Sequence, residues 1–159
     1  MQMRNLIKEK IAANGYAVGA FVASSSATNC EILAMNGYDF VIIDCEHAQT
    51  DSETAVNMFR ACEMYGMAPM VRVYNPYDGP MMSRLLDVGA HGIMVPLVND
   101  APQAKNIVDN TKYAPVGRRG ANGGRGPRWG AYDDYVKVCN DNTLTFVQSE
   151  SIEGVYNIE

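Results

Sequence analysis

The sequence predicts an α/β fold built on a parallel sheet, and three observations carry that prediction. Short apolar runs rich in β-branched residues alternate with stretches of helical period, five times over in 159 residues. The central run, FVII at residues 40–43, shows no polar alternation, as a strand buried on both faces requires. Polar residues then gather at the carboxyl ends of the runs, with Asp44, Glu46 and His47 after the second and Arg72 near the end of the third. In open parallel sheets and in (β/α)8 barrels those ends surround the pocket, so the positions inform as much as the residue types.

Taken in order, residues 3–14 read as a short helix stopped at Asn14-Gly15, and residues 17–23 (AVGAFVA) as the first strand. Thr28 and Glu31 have capping-box spacing for a helix that ends at Gly37, and the FVII strand follows. Thr50 and Asp51 offer an N-cap to a longer helix with Ala55, Met58, Phe59 and Cys62 on one face, closing at Tyr65-Gly66. Residues 69–73 (PMVRV) read as the third strand, 79–88 as a helix and 92–98 (GIMVPLV) as the fourth strand. A helix over 100–112 should turn Ala101, Ala104, Ile107 and Val108 inward. Residues 113–130 form a long Gly- and Arg-rich loop, a length more often functional than not, with a flexible lid and an anion-binding loop as equal readings. Residues 132–139 read as a short helix, 144–147 as a fifth strand delivering Gln148 and Glu150, and 154–159 as the start of another helix.

Length and composition predict one domain with a real core, since 47% of residues are hydrophobic and 19% charged. A net charge of −5 argues against nucleic-acid and anionic-membrane partners. No apolar run approaches the roughly 20 residues that span a bilayer, and the amino-terminal stretch is amphipathic rather than signal-like, so a cytoplasmic protein is expected. Cys30, Cys45, Cys62 and Cys139 are widely spaced and predict free thiols rather than a zinc site or disulfides.

The chemistry is narrowed by what is absent. Lys8, Lys10, Lys105, Lys112 and Lys137 all fall on predicted helices or their ends, which disfavours imine chemistry. There is no Gly-x-Ser-x-Gly elbow, and the glycine-rich loop lacks the Lys-Ser/Thr of a P-loop. Carboxylates, an arginine and a histidine at converging strand ends point to metal-assisted chemistry on an oxyanion.

The motifs GYDFVIIDCEHA, PMVRV, LLDVGAHGIMVP, YAPVGRRG and VQSES, in that order, closely resemble the HpcH/HpaI aldolase family, metal-dependent (class II) pyruvate aldolases, over residues 18–153. The resemblance implies a (β/α)8 TIM-barrel type, with only about the first five βα units present in this chain. Residues 1–159 would then be the amino-terminal portion of a single barrel domain, because such a barrel takes about 250 residues. It further implies that His47, supported by Asp44, exchanges a proton with the C4 hydroxyl of a 4-hydroxy-2-oxo acid. Arg72 would hold the pyruvate oxygen and stabilise the enolate, Gln148 would contact the bound oxo acid, and Glu150 would be one carboxylate ligand of a divalent metal (Mg, Mn or Co). Asp87 matches a family aspartate near the site, with a plain helix-end carboxylate as a nearly equal reading. The family's second metal carboxylate lies on the next strand, beyond Glu159, so a fragment or a truncated homologue is expected. The expected partners are a small 2-oxo acid and an aldehyde, in a homo-oligomer. Two alternatives stay open: a citrate-lyase-like carbon–carbon lyase, and a truncated barrel that binds but does not turn over.

Overall fold

A computed structural model describes residues 3–158. Five parallel strands form one sheet in chain order, β1 (Gly19–Val22), β2 (Phe40–Asp44), β3 (Ala68–Arg72), β4 (Gly92–Val95) and β5 (Leu144–Val147). The helices are α1 (Leu6–Asn14), α2 (Ala27–Met35), α3 (Ser52–Met64), α4 (Gly79–Asp87), α5 (Ala101–Thr111), α6 (Tyr135–Asn142) and α7 (Ile152–Tyr156), with a 3-10 turn at Arg128–Gly130. Glu159, the last residue of the predicted final helix, lies outside the described residues.

The sheet sorts its side chains by the two-residue period of a strand. Val22, Val41, Ile43, Val71, Ile93 and Val95 face the helices and pack with Met58, Phe59, Leu85 and Ile107 in the main core. Ile42, Ala68 and Met70 face the other way and meet Ile7 of α1, with Phe40, Met94 and Leu144 around them. Burial on both faces explains why FVII carries no polar alternation.

Turn chemistry sets the register of these units. Asp51, Asp78 and Asp100 cap α3, α4 and α5 through their side-chain oxygens. Gly37 and Gly89, with φ of 86° and 110°, turn the chain left-handed between helix and strand, a conformation that an added Cβ disfavours.

Several boundaries differ from the sequence reading. The cap of α2 is Ser26, whose hydroxyl accepts from the Asn29 amide, so Thr28 lies inside the helix. β1 is shorter than predicted, and β4 stops at Val95 instead of running to residue 98. Pro96 has no amide proton to extend the ladder, and Leu97 turns to a φ of 55°. Ala101 is exposed at the start of α5, whose buried residues are Ile107, Asp109 and Thr111. α6 begins three residues late because Asp134, at φ 51°, breaks the helical path.

Candidate active site

β2 and β3 end side by side, and their register pairs Asp44 with Arg72. Both residues lie on the side of the sheet away from α2–α5, one step beyond Ile42 and Met70. Arg72 donates from Nε to Asp44 Oδ1 at 3.0 Å and from Nη2 to Oδ2 at 2.7 Å, a two-point fork on a buried carboxylate. Asp44 Oδ1 also accepts from the main-chain amides of Glu46 (3.0 Å) and His47 (3.3 Å), so the carboxylate shapes the turn that follows its own strand. Burial pushes the Asp44 carboxyl upward, but the Arg72 bonds and the two amides outweigh it and hold the group below the usual carboxylate range. The same hydrogen bonds raise Arg72 against the opposing effect of burial, with the charges of Glu46 and Glu150 adding to that of Asp44.

Glu46 is the second anchor of the arginine. Its buried Oε2 lies 3.2 Å from Arg72 Nη1 and 3.6 Å from His47 Nε2, and neither contact has hydrogen-bond geometry. The His47 imidazole stands out into solvent with 71% of its side chain exposed. Asp44 therefore supports His47 through the backbone, while the imidazole itself neighbours Glu46; the fork to Arg72 already occupies the Asp44 oxygens. Asp44 takes the Nε–H and one N–H of Nη2, and Glu46 faces Nη1 without a hydrogen bond, which leaves N–H groups on Nη1 and Nη2 for an oxyanion.

β5 brings the second half of the site. Gln148 continues its ladder by donating from its amide to Val95 O, and its side-chain Oε1 is buried without a hydrogen-bond partner. Glu150, two residues on, accepts from the Leu97 amide at 3.1 Å. The left-handed backbone of Leu97 is a costly conformation for a branched side chain, and conformations of that kind gather where structure is committed to a site. Glu150 also lines a hollow of about 540 Å³ with Ile152, Val155 and Tyr156. The Glu150 carboxylate and the buried, unpartnered amide oxygen of Gln148 are oxygen donors of the kind a hard divalent cation prefers. Among the described residues no group of three or more His, Cys, Asp or Glu side chains could by itself hold a metal ion.

Asp87 stands apart from this group. It ends α4, at the amino edge of the sheet, and accepts from Nη2 of Arg119 at 2.6 Å. The Gly- and Arg-rich loop packs at that same edge and is neither a loose lid over the strand ends nor a free basic patch. Arg118 pairs with Asp109, Arg119 with Asp87, and both Arg125 and Arg128 with Glu63. A groove of about 650 Å³ lies beside this loop, between Pro115 and α6, and receives none of the strand-end side chains. Phe21 of β1 is the residue at the site that the sequence reading passed over: its ring lies under the Arg72 guanidinium, 5.1 Å from centroid to carbon. The two-residue period of AVGAFVA, with Val22 toward the core, carried that signal.

The family model described as HpcH/HpaI aldolase/citrate lyase matches residues 17–159. The chain is 33% identical over 161 aligned positions to 2-keto-3-deoxy-L-rhamnonate aldolase of Escherichia coli strain K12, covering 99% of this chain and 59% of that protein. It is 38% identical over 143 positions to hydroxypyruvate/pyruvate aldolase of Chromohalobacter salexigens, covering 89% and 56%. The crystal structure of an HpcH/HpaI aldolase from Desulfitobacterium hafniense DCB-2 superposes with a TM-score of 0.89 at 29% identity, over 98% of this chain and 60% of the other. The chain thus spans about three fifths of the length of these relatives, and its five-stranded sheet matches that part of their TIM-barrel-like fold.

Proposed function

Because the chain belongs to the HpcH/HpaI aldolase/citrate lyase family, we propose that it forms the pyruvate-binding part of a class II aldolase acting on a 4-hydroxy-2-oxo acid. The observation that carries this reading is the Asp44–Arg72–Glu46 network, with Glu150 close enough for its charge to act on Arg72. Two carboxylates lie along the edge of the guanidinium and leave N–H groups for an oxygen that gains negative charge.

In cleavage, His47 takes the proton from the C4 hydroxyl as the C3–C4 bond breaks and the aldehyde leaves. The bonding electrons pass to the 2-oxo acid as its enolate, whose oxygen Arg72 faces; reprotonation at C3 gives pyruvate. Glu46 sits between the His47 imidazole and Arg72 as a nearby negative charge, and Gln148 contacts the oxo acid from the end of β5. Glu150 would hold a divalent cation such as magnesium, manganese or cobalt, and the unpartnered Gln148 amide oxygen is a further donor from the same segment. When bound, that ion supplies Lewis-acid polarisation of the keto oxygen. The aldolase reading is favoured over a citrate-lyase-like one because the arginines of residues 118–128 are engaged by carboxylates away from the strand ends, so among the described residues that cluster offers no basic patch there for a larger anionic thioester.

The test is Arg72→Lys in the longest natural chain that carries this sequence. Lysine keeps the charge and loses the planar fork, so exchange of the pyruvate methyl protons into deuterated water should fall by about tenfold or more, with a smaller change in pyruvate affinity. Exchange at the parent rate would remove Arg72 from enolate stabilisation.

A further inference from the structure

The side chain of Arg72 crosses the sheet: it rises from β3, is forked by Asp44 on β2, and ends over the ring of Phe21 on β1. Asp44 and Glu46 lie around the edge of the guanidinium and fix its rotation within its own plane. Edge contacts alone leave the plane free to tilt, and the long aliphatic stem of an arginine resists that tilt only weakly. The ring of Phe21 closes one face.

We propose that Phe21 is a positioning residue for Arg72, clamping one face of the guanidinium so that its remaining N–H groups point at the substrate oxygen. The proposal rests on the reading of Arg72 as the enolate-facing cation. Three further observations support it. Phe21 is 53% exposed and belongs to none of the buried clusters, so core packing does not account for an aromatic residue at this position. Its register partner is Ile42, two residues before Asp44, which puts the ring on the pocket side of the sheet one step below the carboxylate. A cation over an aromatic face is attracted by the ring quadrupole, and arginine stacks on such faces better than lysine.

The experiment compares Phe21→Leu with Phe21→Tyr, one removing the ring and the other keeping it. Because Phe21 is half exposed, neither variant removes a core residue. The first readout is the Nε–H resonance of Arg72, identified by its loss in Arg72→Lys. The ring-current shift should vanish in Phe21→Leu and persist in Phe21→Tyr. The second is methyl exchange of pyruvate in deuterated water, which should drop about three- to tenfold in Phe21→Leu with pyruvate affinity changed less than twofold, and recover in Phe21→Tyr. An unchanged Arg72 resonance in Phe21→Leu overturns the clamp, and a moved resonance with parent-like exchange overturns its positioning role. A parent protein that exchanges no methyl protons refutes the pyruvate reading instead, and the resonance alone then decides whether the clamp exists.

Discussion

Replacing Asp44 with Asn removes one charge from the centre of the site while keeping its shape. Asparagine can still accept from the Glu46 and His47 amides, so the loss falls on the fork to Arg72. Removing one partner of a buried ion pair costs about 3–5 kcal/mol when the other charge is stranded. Arg72 is not fully stranded, since Glu46 lies 3.2 Å away and 14% of the arginine side chain reaches solvent, which lowers the expectation to about 2–3 kcal/mol. Against a total stability of roughly 5–15 kcal/mol, that is a large fraction. With a urea slope of about 1–3 kcal/mol per molar, the midpoint should fall by about 0.7–3 M. The sign of the pH dependence follows from the depressed carboxyl. Between the folded value and the unfolded value near ~3.9, the unfolded chain binds more protons. The Asp44 contribution is therefore complete above the unfolded value and fades as pH falls through the folded one, so parent and variant should converge in acid. A double-mutant cycle with Arg72→Met should show coupling of at least about 1 kcal/mol. A cost under about 0.5 kcal/mol at neutral pH, or strict additivity in the cycle, would refute the account of a buried, charge-assisted fork.

Three other perturbations test separate parts of the molecule. His47→Ala in the longest natural chain should reduce aldol cleavage by about 10²–10⁴-fold with pyruvate binding nearly intact, and wild-type cleavage would remove His47 from the mechanism. All four cysteines are buried and free, and burial, with Asp44 and Asp51 nearby, pushes the Cys45 thiol up to about 12. A thiol reagent at pH 8 should find no fast-reacting group in the folded chain and all four in urea; a rapidly labelled native cysteine would contradict the packing. Gly92→Ala would bring a Cβ to 2.8 Å from the main-chain oxygen of Leu144 and 2.9 Å from Met70 Cε, forcing β4 and β5 apart. Thermal unfolding should register a loss of about 1–3 kcal/mol, and an unchanged melting temperature would show that the ladder yields freely.

The parts of the fold legible in the sequence were those fixed by local pattern. The five strands and their order with the helices could be read because each strand is a short apolar run between turn signals, and 144–147 was delimited at both ends. The inward face of α3 followed from its period. Misplaced boundaries came from competition between neighbouring caps, as at Ser26 against Thr28, or from backbone conformations that no residue type announces, as at Leu97 and Asp134. For the candidate site, residue types at strand ends singled out Asp44, His47, Arg72, Gln148 and Glu150 as candidates, and these lie at one edge of the sheet. Two features depended on contacts between strands. The grip of Glu46 on Arg72 and the ring of Phe21 beneath it exist only once β1, β2 and β3 lie side by side. The pairing of Asp87 and Arg119, 32 residues apart, was equally invisible to a reading by spacing.

The strand order has a consequence for how the chain matures. Because the five strands run β1 to β5 in chain order, each of β2 to β5 docks against one already made. Domains tend to organise from the amino terminus as they emerge from the ribosome. The Asp44–Arg72 fork, with Phe21 beneath it, therefore needs only about the first seventy residues, whereas Gln148 and Glu150 arrive with the fifth strand. Arg72 and the two carboxylates that face it, Asp44 and Glu46, thus lie within one stretch of the first seventy or so residues, and a chain emerging from the ribosome carries the arginine's counter-charges ahead of it.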